Sequence, residues 1–335
     1  MTEESSRPVV VVTGATAGVG RATALRFGRG GFDVGLIARD QDALDEVSAE
    51  LRRLGARAAA VSADVSDSAA VFSAAERLEA ELGAMDIWIN NAMETVIAPF
   101  DQTTPDEFRR VTEVTYLGFV HGTMAALRRM KPRNRGAIIQ IGSALAYRGI
   151  PLQSAYCGAK HAIRGFSESL RSELAHDGSA VRLAIVDLPA VNTPQFDWAR
   201  TRMRRTPRPM GTPVQPEVIA DAVFRAAHGS SRDYWIGWPT ALTVLGNAVA
   251  PWFLDRYLAK AVEGQQTAEP VASGRRDNLE ATVPGLYRTR GSFSAEAARS
   301  APLLSGGAVR LGVVAAGAVV FAALGAAIRA ASKRR

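Results

Sequence analysis

Ser143, Tyr156 and Lys160 are the residues of this chain whose types and spacing could do chemistry together. Tyr156 and Lys160 stand four residues apart, and the serine precedes the tyrosine by thirteen. On a helix, the first two share a face. A phenol with a reference pKa of about 10 is a poor base at neutral pH, whereas a neighbouring ammonium favours the phenolate and lets it exchange a proton with an alcohol or carbonyl. Lys160 can supply that charge. The apolar run Ala137 to Ile141 leads to Ser143 and has the character of a buried parallel strand, so the serine hydroxyl would emerge at a strand end, able to bond the same substrate oxygen. Alone, the Tyr/Lys pair is also what a half-buried ring beside a solvated amine would produce.

A second constellation gives the pair its weight. Val9 to Val12 form a short β-branched run, followed at once by Thr13, Gly14, Ala15, Thr16, Ala17, Gly18, Val19 and Gly20 and then by a helical stretch from Arg21 to Phe27. The pattern is strand, glycine turn, helix. Gly14, Gly18 and Gly20 would let the backbone turn tightly and approach a pyrophosphate, seated at the positive N-terminal end of the helix.

Together these motifs resemble the classical short-chain dehydrogenase/reductase family, over about Arg7 to Val262. Its pattern is Thr-Gly-x-x-x-Gly-x-Gly near the start and Ser with Tyr-x-x-x-Lys near the middle. The resemblance implies that Ser143, Tyr156 and Lys160 are catalytic and that Thr16 and Val19 join the three glycines at the dinucleotide. It further implies that Asp64 and Val65 contact the adenine, and that Asn91, within Asn90-Asn91-Ala92, Pro189 and Thr193 position the cofactor. The implied fold is an α/β Rossmann-type doubly wound sheet of seven parallel strands in the order 3-2-1-4-5-6-7, with ligands over the carboxyl ends of the strands. Two positions depart from the pattern. Met93 replaces the glycine of Asn-Asn-Ala-Gly, and Thr115 stands where the family's asparagine helps hold a water in the proton relay. Threonine is shorter and offers one hydroxyl.

Nineteen residues after Gly20 comes Arg39, followed by Asp40. In dinucleotide folds an acid near this point binds the ribose hydroxyls of NAD, whereas an arginine accepts the extra phosphate of NADP. Ala38 takes the place of the family's NAD-selective aspartate, so NADP(H) is expected, with Asp40 as the competing ribose ligand. The expected activity is hydride transfer between nicotinamide and a carbonyl or alcohol, with a dinucleotide-binding scaffold or redox sensor as the alternative.

Of 335 residues, 47% are hydrophobic, enough for one large α/β domain and an appendage. The single cysteine, Cys157, has no partner for an internal disulfide and is expected to be a small apolar helix residue. The start of the chain lacks the basic and apolar regions of a signal peptide, so the catalytic part is expected in the cytoplasm. Net charge is +7, of which +5 lies from Glu263 onward, with no nucleic-acid-binding motif beside it. An anionic membrane surface therefore explains the charge better than nucleic acid does.

Apolar runs recur at Val9 to Val12, Val34 to Ile37, Ala58 to Val61, Ile87 to Asn90, Ala137 to Ile141, Val181 to Val186 and Tyr234 to Ile236, with helical periodicity between them, as at Val71, Ala75, Leu78 and Leu82. The resemblance implies that the arginine-rich stretch Asn192 to Glu217 is a substrate lid, its charges meeting acidic headgroups or an anionic substrate; the composition alone is equally that of a solvated helix. Residues 1–262 then constitute the NADP(H)-binding domain, 263–305 a loosely packed linker, and 306–335 a hydrophobic helix with a basic tail. Within the last segment, Leu311 to Ile328 run 18 residues without a charge. That length of helix spans about 27 Å, close to a bilayer's hydrocarbon core, so attachment to the cytoplasmic membrane is expected. The expected partners are a small carbonyl or alcohol substrate, membrane lipid at this helix, and further copies of the chain in a homo-oligomer.

Overall fold

The seven apolar runs become seven parallel strands of one sheet in the computed structural model of the chain, which describes residues 7–318. They are β1 (Val9–Thr13), β2 (Asp33–Ala38), β3 (Ala58–Ser62), β4 (Met85–Asn90), β5 (Ala137–Ser143), β6 (Arg182–Leu188) and β7 (Asp233–Ile236). Their spatial order is β3-β2-β1-β4-β5-β6-β7, as the resemblance implies. One element was not expected: β8 (Leu303–Ser305) adds antiparallel to β7, with Tyr234 opposite Ser305.

Helices cover both faces, which is why the strands read as unbroken apolar runs. In β1 the side chains still alternate. Val10 and Val12 join a core with α1 (Gly18–Arg29), α2 (Gln41–Arg53) and α7 (Pro216–His228), while Val9 and Val11 join the opposite core with α3 (Ser68–Leu82), α5 (Gly118–Met130) and α6 (Ser154–His176). Val71, Ala75, Leu78 and Leu82 line the buried stripe of α3 as their spacing predicts. The short helix α4 (Pro105–Thr112) opens with a capping box between Thr104 and Glu107 and runs through a π-helical turn, Glu113–Leu117, into α5. After β7 the chain forms α8 (Gly237–Val249) and α9 (Pro251–Ala259).

The segment after α9 is not a loose linker. Gln266–Pro270 pairs antiparallel with Arg205–Pro207, Leu279 is fully buried beside Val96, Val111 and Ala155, and Gly291 N–H donates to Asn192 O at 3.1 Å. Between these points residues 277–291 form a strap across the carboxyl ends of the strands. Its attachments to the cleft are main-chain carbonyls, which carry no side-chain signature in sequence; ion pairs of Asp277, Arg288 and Arg290 hold it to the rest of the fold. Three arginines of the expected lid pair within the fold: Arg200 with Asp277 at 3.1 Å, Arg202 with Glu107 at 2.7 Å and Arg208 with Glu296 at 2.5 Å, whereas Arg204 and Arg205 are exposed.

Residues 306–318 are helical. No helix among the described residues is long and apolar enough to cross a membrane. Most of the expected anchor, from residue 319 onward, lies outside the described residues.

Candidate active site

The carboxyl ends of β1, β4, β5 and β6 surround one cavity of about 610 Å³, and all but one of the expected catalytic and cofactor-binding residues line it: Gly14, Thr16, Gly18, Val19, Arg39, Asp64, Val65, Asn91, Ser143, Tyr156, Lys160, Pro189 and Thr193. Gly20 stands behind the turn. A Cβ there would fall inside the shells of Gly14 O and Asn91 Nδ2, so only glycine lets the turn close. Gly14 and Gly18 both have positive φ, 64° and 53°. A side chain on Gly18 would also meet Thr193 Cγ2 at 2.9 Å. Asn91 braces this turn: its Nδ2 donates to Thr13 O at 3.0 Å and Gly14 O at 3.2 Å. The helix dipole and the first-turn N–H groups of α1 make the turn an anion seat.

The strap meets this seat directly. Arg288 O accepts the Gly18 N–H at 3.0 Å, and Tyr287 O accepts Arg21 Nη1 at 2.7 Å. Val19 and Gly20, also in the first turn, have no intrahelical acceptor for their N–H groups and remain for a pyrophosphate. Arg39 lies at the other end of the cleft. Its Nη2 bonds Asn278 O at 2.6 Å and Glu94 Oε1 at 2.8 Å, whereas its Nη1 is buried and, among the described residues, has no hydrogen-bond partner. Asp40 also lines the cleft, with one carboxylate oxygen committed to capping α2 by accepting Ala43 N–H at 3.0 Å. These features fit a dinucleotide carrying a further phosphate near Arg39.

Two acids shape the end of the cleft near Arg39: Asp64, expected from the sequence, and Glu94, which was not anticipated. Burial raises Glu94 to about 8, with Arg39 and Arg110 opposing. Asp64 is also penalised by burial, but hydrogen bonds from Arg110, at 2.6 Å, and from Ser66 hold its carboxyl below the usual range. Val65 sits in the cavity wall with its carbonyl bonded to His121 Nδ1 at 2.9 Å.

At the reacting end, Ser143 terminates β5 and Tyr156 and Lys160 share one face of α6. Burial pushes the Tyr156 phenol up, and the adjoining Ser143 hydroxyl opposes this. The expected lowering by Lys160 does not prevail: the amine lies 5.5 Å from the Tyr156 ring centroid and donates to Ile141 O at 2.7 Å. Burial lowers Lys160 itself to about 7, and Asp187 opposes that change. Asp187 is a further residue not anticipated, though an acid at the end of an apolar strand was a readable signal. It accepts Ser143 N–H at 3.1 Å and the Tyr147 hydroxyl at 2.9 Å. Thr115, at the relay position, is fully buried and clasps the neighbouring loop, its hydroxyl donating to Glu94 O at 2.8 Å and accepting Glu94 N–H at 2.9 Å. Met93 lines the cavity. Cys157 is buried and its thiol is pushed up by burial, consistent with an apolar packing role.

Residues 8–203 match the family model described as short chain dehydrogenase. The chain is 31% identical over 272 residues to the uncharacterized oxidoreductase YxnA of Bacillus subtilis (strain 168), covering 81% of this chain and 76% of the relative. It is 28% identical over 292 residues to 3-dehydrosphinganine reductase of Danio rerio, covering 85% and 82%. A metagenomic short-chain oxidoreductase solved in complex with NADP superposes with a TM-score of 0.57 at 28% identity, covering 67% of this chain and 91% of that one. The chain therefore belongs to the short-chain dehydrogenase family and is an oxidoreductase of that class.

Proposed function

We propose that this enzyme uses NADP(H) to interconvert a lipophilic carbonyl and its alcohol. The observation that carries the proposal is the convergence of Ser143, Tyr156 and Lys160 on a cavity that also contains the glycine turn. When bound, the dinucleotide supplies or accepts the hydride. Gly14, Thr16, Gly18, Val19 and Gly20 would cradle its pyrophosphate, Arg39 its 2′-phosphate, and Asp64 and Val65 its adenine. Pro189 and Thr193 would flank the nicotinamide, and Asn91 acts by holding the turn. Tyr156 gives a proton to the reacting oxygen, or takes one from it, while Ser143 orients that oxygen. Lys160, moved close to neutrality, holds the nicotinamide ribose and refills the phenol's proton. The partly free Arg39, the engagement of Asp40 as a helix cap and the NADP-bound neighbour favour NADP over NAD.

Lipophilicity is inferred from the apolar side chains of Leu145, Ile150, Phe196, Met210 and Leu254, which line the same cavity as the catalytic residues. The relative named as a reductase of 3-dehydrosphinganine acts on such a molecule. Attachment of the cytoplasmic enzyme to membrane lipid through the apolar stretch from Leu311 to Ile328 is a proposal from sequence, as is its assembly as a homo-oligomer.

The test is NADPH oxidation against a panel of aldehydes, ketones and quinones. Tyr156→Phe should lose turnover by about 10²-fold or more while retaining NADPH binding. Equal turnover in the variant would overturn the mechanism. Tight NADPH binding without turnover of any substrate class would favour a dinucleotide-binding scaffold or redox sensor, the reading to which the engaged Thr115 hydroxyl lends support.

A further inference from the structure

The helices α8 and α9 present an apolar surface that the fold does not cover. Over its 13 residues α8 contains no charged side chain. Its inner face buries Thr240, Ala241 and Val244, whereas Trp238 and Leu242 are 60% and 66% exposed. On α9, Trp252, Phe253 and Tyr257 are 62%, 53% and 62% exposed. They share a helix face with Arg256 and Lys260, at spacings of one, four, five and eight residues from Trp252. The one acid of α9, Asp255, is tied to Arg148. The face thus combines large aromatic side chains with basic ones and no unpaired carboxylate of its own helix. That composition belongs to the headgroup boundary of an anionic bilayer, where aromatic rings sit at the interface and basic side chains reach lipid phosphates.

Two further observations place lipid, and not a second copy of the chain, against this face. The helix at 306–318 begins on the flank of α8, with Val309 packed near Ala241 and Val244. The sequence then runs apolar to Ile328 and ends in Arg329, Lys333, Arg334 and Arg335. The same two helices also form the cavity mouth: Pro239 and Thr243 of α8 and Leu254, Tyr257 and Leu258 of α9 line the space that ends at Ser143 and Tyr156. Tyr257 is at once exposed and part of the cavity wall.

We propose that the α8–α9 face docks in the interfacial layer of an anionic membrane and that the substrate enters the cavity from the lipid. The entry route rests on the lipophilic-substrate proposal; the docking does not.

The experiment uses the full chain and vesicles of phosphatidylcholine with 30 mol% phosphatidylglycerol, with brominated acyl chains in a parallel set. Trp88, Trp198 and Trp235 are buried, whereas Trp238 and Trp252 lie on the proposed face. The segment from 306 to the end contains no tryptophan. Anchoring by the tail alone therefore leaves the fluorescence unquenched, and docking of this face quenches it. The expected result is quenching by brominated lipid that disappears in the double variant Trp238→Phe, Trp252→Phe. Arg256→Glu with Lys260→Glu should weaken vesicle partitioning by at least about fivefold for each basic charge removed.

Sedimentation with vesicles but no quenching would overturn the proposal. So would a stable dimer that shields Trp238 and Trp252 without lipid. Quenching needs no turnover, so failure of the reductase assignment would appear separately, as absent NADPH oxidation with quenching intact. For the entry route, Leu242→Ser with Phe253→Ser should lower kcat/KM at least tenfold for a long-chain ketone held in vesicles and leave a short, water-soluble ketone unchanged. Equal losses on both ketones would overturn entry from lipid.

Discussion

Replacing Asp187 by asparagine should make the protein more stable at pH 8 and less active. The carboxyl is buried, accepts Ser143 N–H and the Tyr147 hydroxyl, and is raised from 3.8 to about 7 by burial, with the Tyr147 hydrogen bond opposing. In the unfolded chain it ionises near pH 4. Between about pH 4 and pH 7 the folded state therefore binds more protons, and stability falls as pH rises through that window. At 1.36 kcal/mol per pK unit the penalty is at most about 4 kcal/mol above pH 7 and about 2 kcal/mol at pH 5. Asparagine carries no charge to desolvate and can still accept the Ser143 N–H, at a cost of about 1 kcal/mol for the altered bond to Tyr147. The variant also withdraws the attraction that opposes desolvation of Lys160. That attraction operates only where carboxylate and ammonium are both charged, near pH 7, so its loss changes little at pH 5 or pH 8. Urea unfolding of both proteins at pH 5 and pH 8 should show the variant gaining about 2 kcal/mol or more on the parent between the two conditions. Turnover should fall, because Lys160 then releases its proton at lower pH. An identical stability difference at both pH values would refute the assignment of a neutralised, desolvated carboxyl at this position.

Gly20→Ala should be destabilised by about 1–3 kcal/mol through overpacking and should lose NADPH binding, read by thermal denaturation and by nucleotide fluorescence titration; normal binding would show that the turn is not the seat. Arg39→Ala should cut kcat/KM with NADPH at least tenfold more than with NADH, and equal losses would remove Arg39 from phosphate recognition. Leu279→Ala should cost about 2–5 kcal/mol in chemical denaturation, because the strap side chain is fully buried; a cost below about 1 kcal/mol would mean that the strap detaches in solution.

What could be read from the residues was whatever repeats with a physical period or needs a special backbone. The seven strands were visible because a parallel sheet covered on both faces leaves unbroken apolar runs such as Val9 to Val12. The turn was visible because glycine at Gly14 and Gly18 supplies positive φ. The strap was not. Residues 277–291 lack periodicity, and their ties into the cleft are the carbonyls of Asn278, Leu279, Tyr287 and Arg288, which any side chain could have carried, while the ion pairs of Asp277, Arg288 and Arg290 join residues too far apart in sequence to show as a pattern. β8 was missed because three residues form no pattern. Spacing placed Lys160 correctly on the face of Tyr156, but spacing says nothing of desolvation, and burial sets the charge state of both groups.

The departures from the family pattern converge on one loop. Thr115, in the π-helical turn before α5, holds the main chain of Glu94 with both the donor and an acceptor of its hydroxyl. The side chain of Glu94 then lies between Arg39, at 2.8 Å, and Arg110, at 3.3 Å. Arg110 in turn bonds Asp64 and the strap carbonyl of Leu279, at 2.6 and 3.0 Å. A hydroxyl at the relay position thus fixes the acid that orients the arginine proposed for the 2′-phosphate, and both arginines reach the strap. Thr115 secures the Glu94 loop, and the buried acid that acts on the charge of Lys160 is Asp187. Substitutions at Thr115 and at Glu94 should therefore register first in nucleotide affinity, measured by fluorescence titration of NADPH.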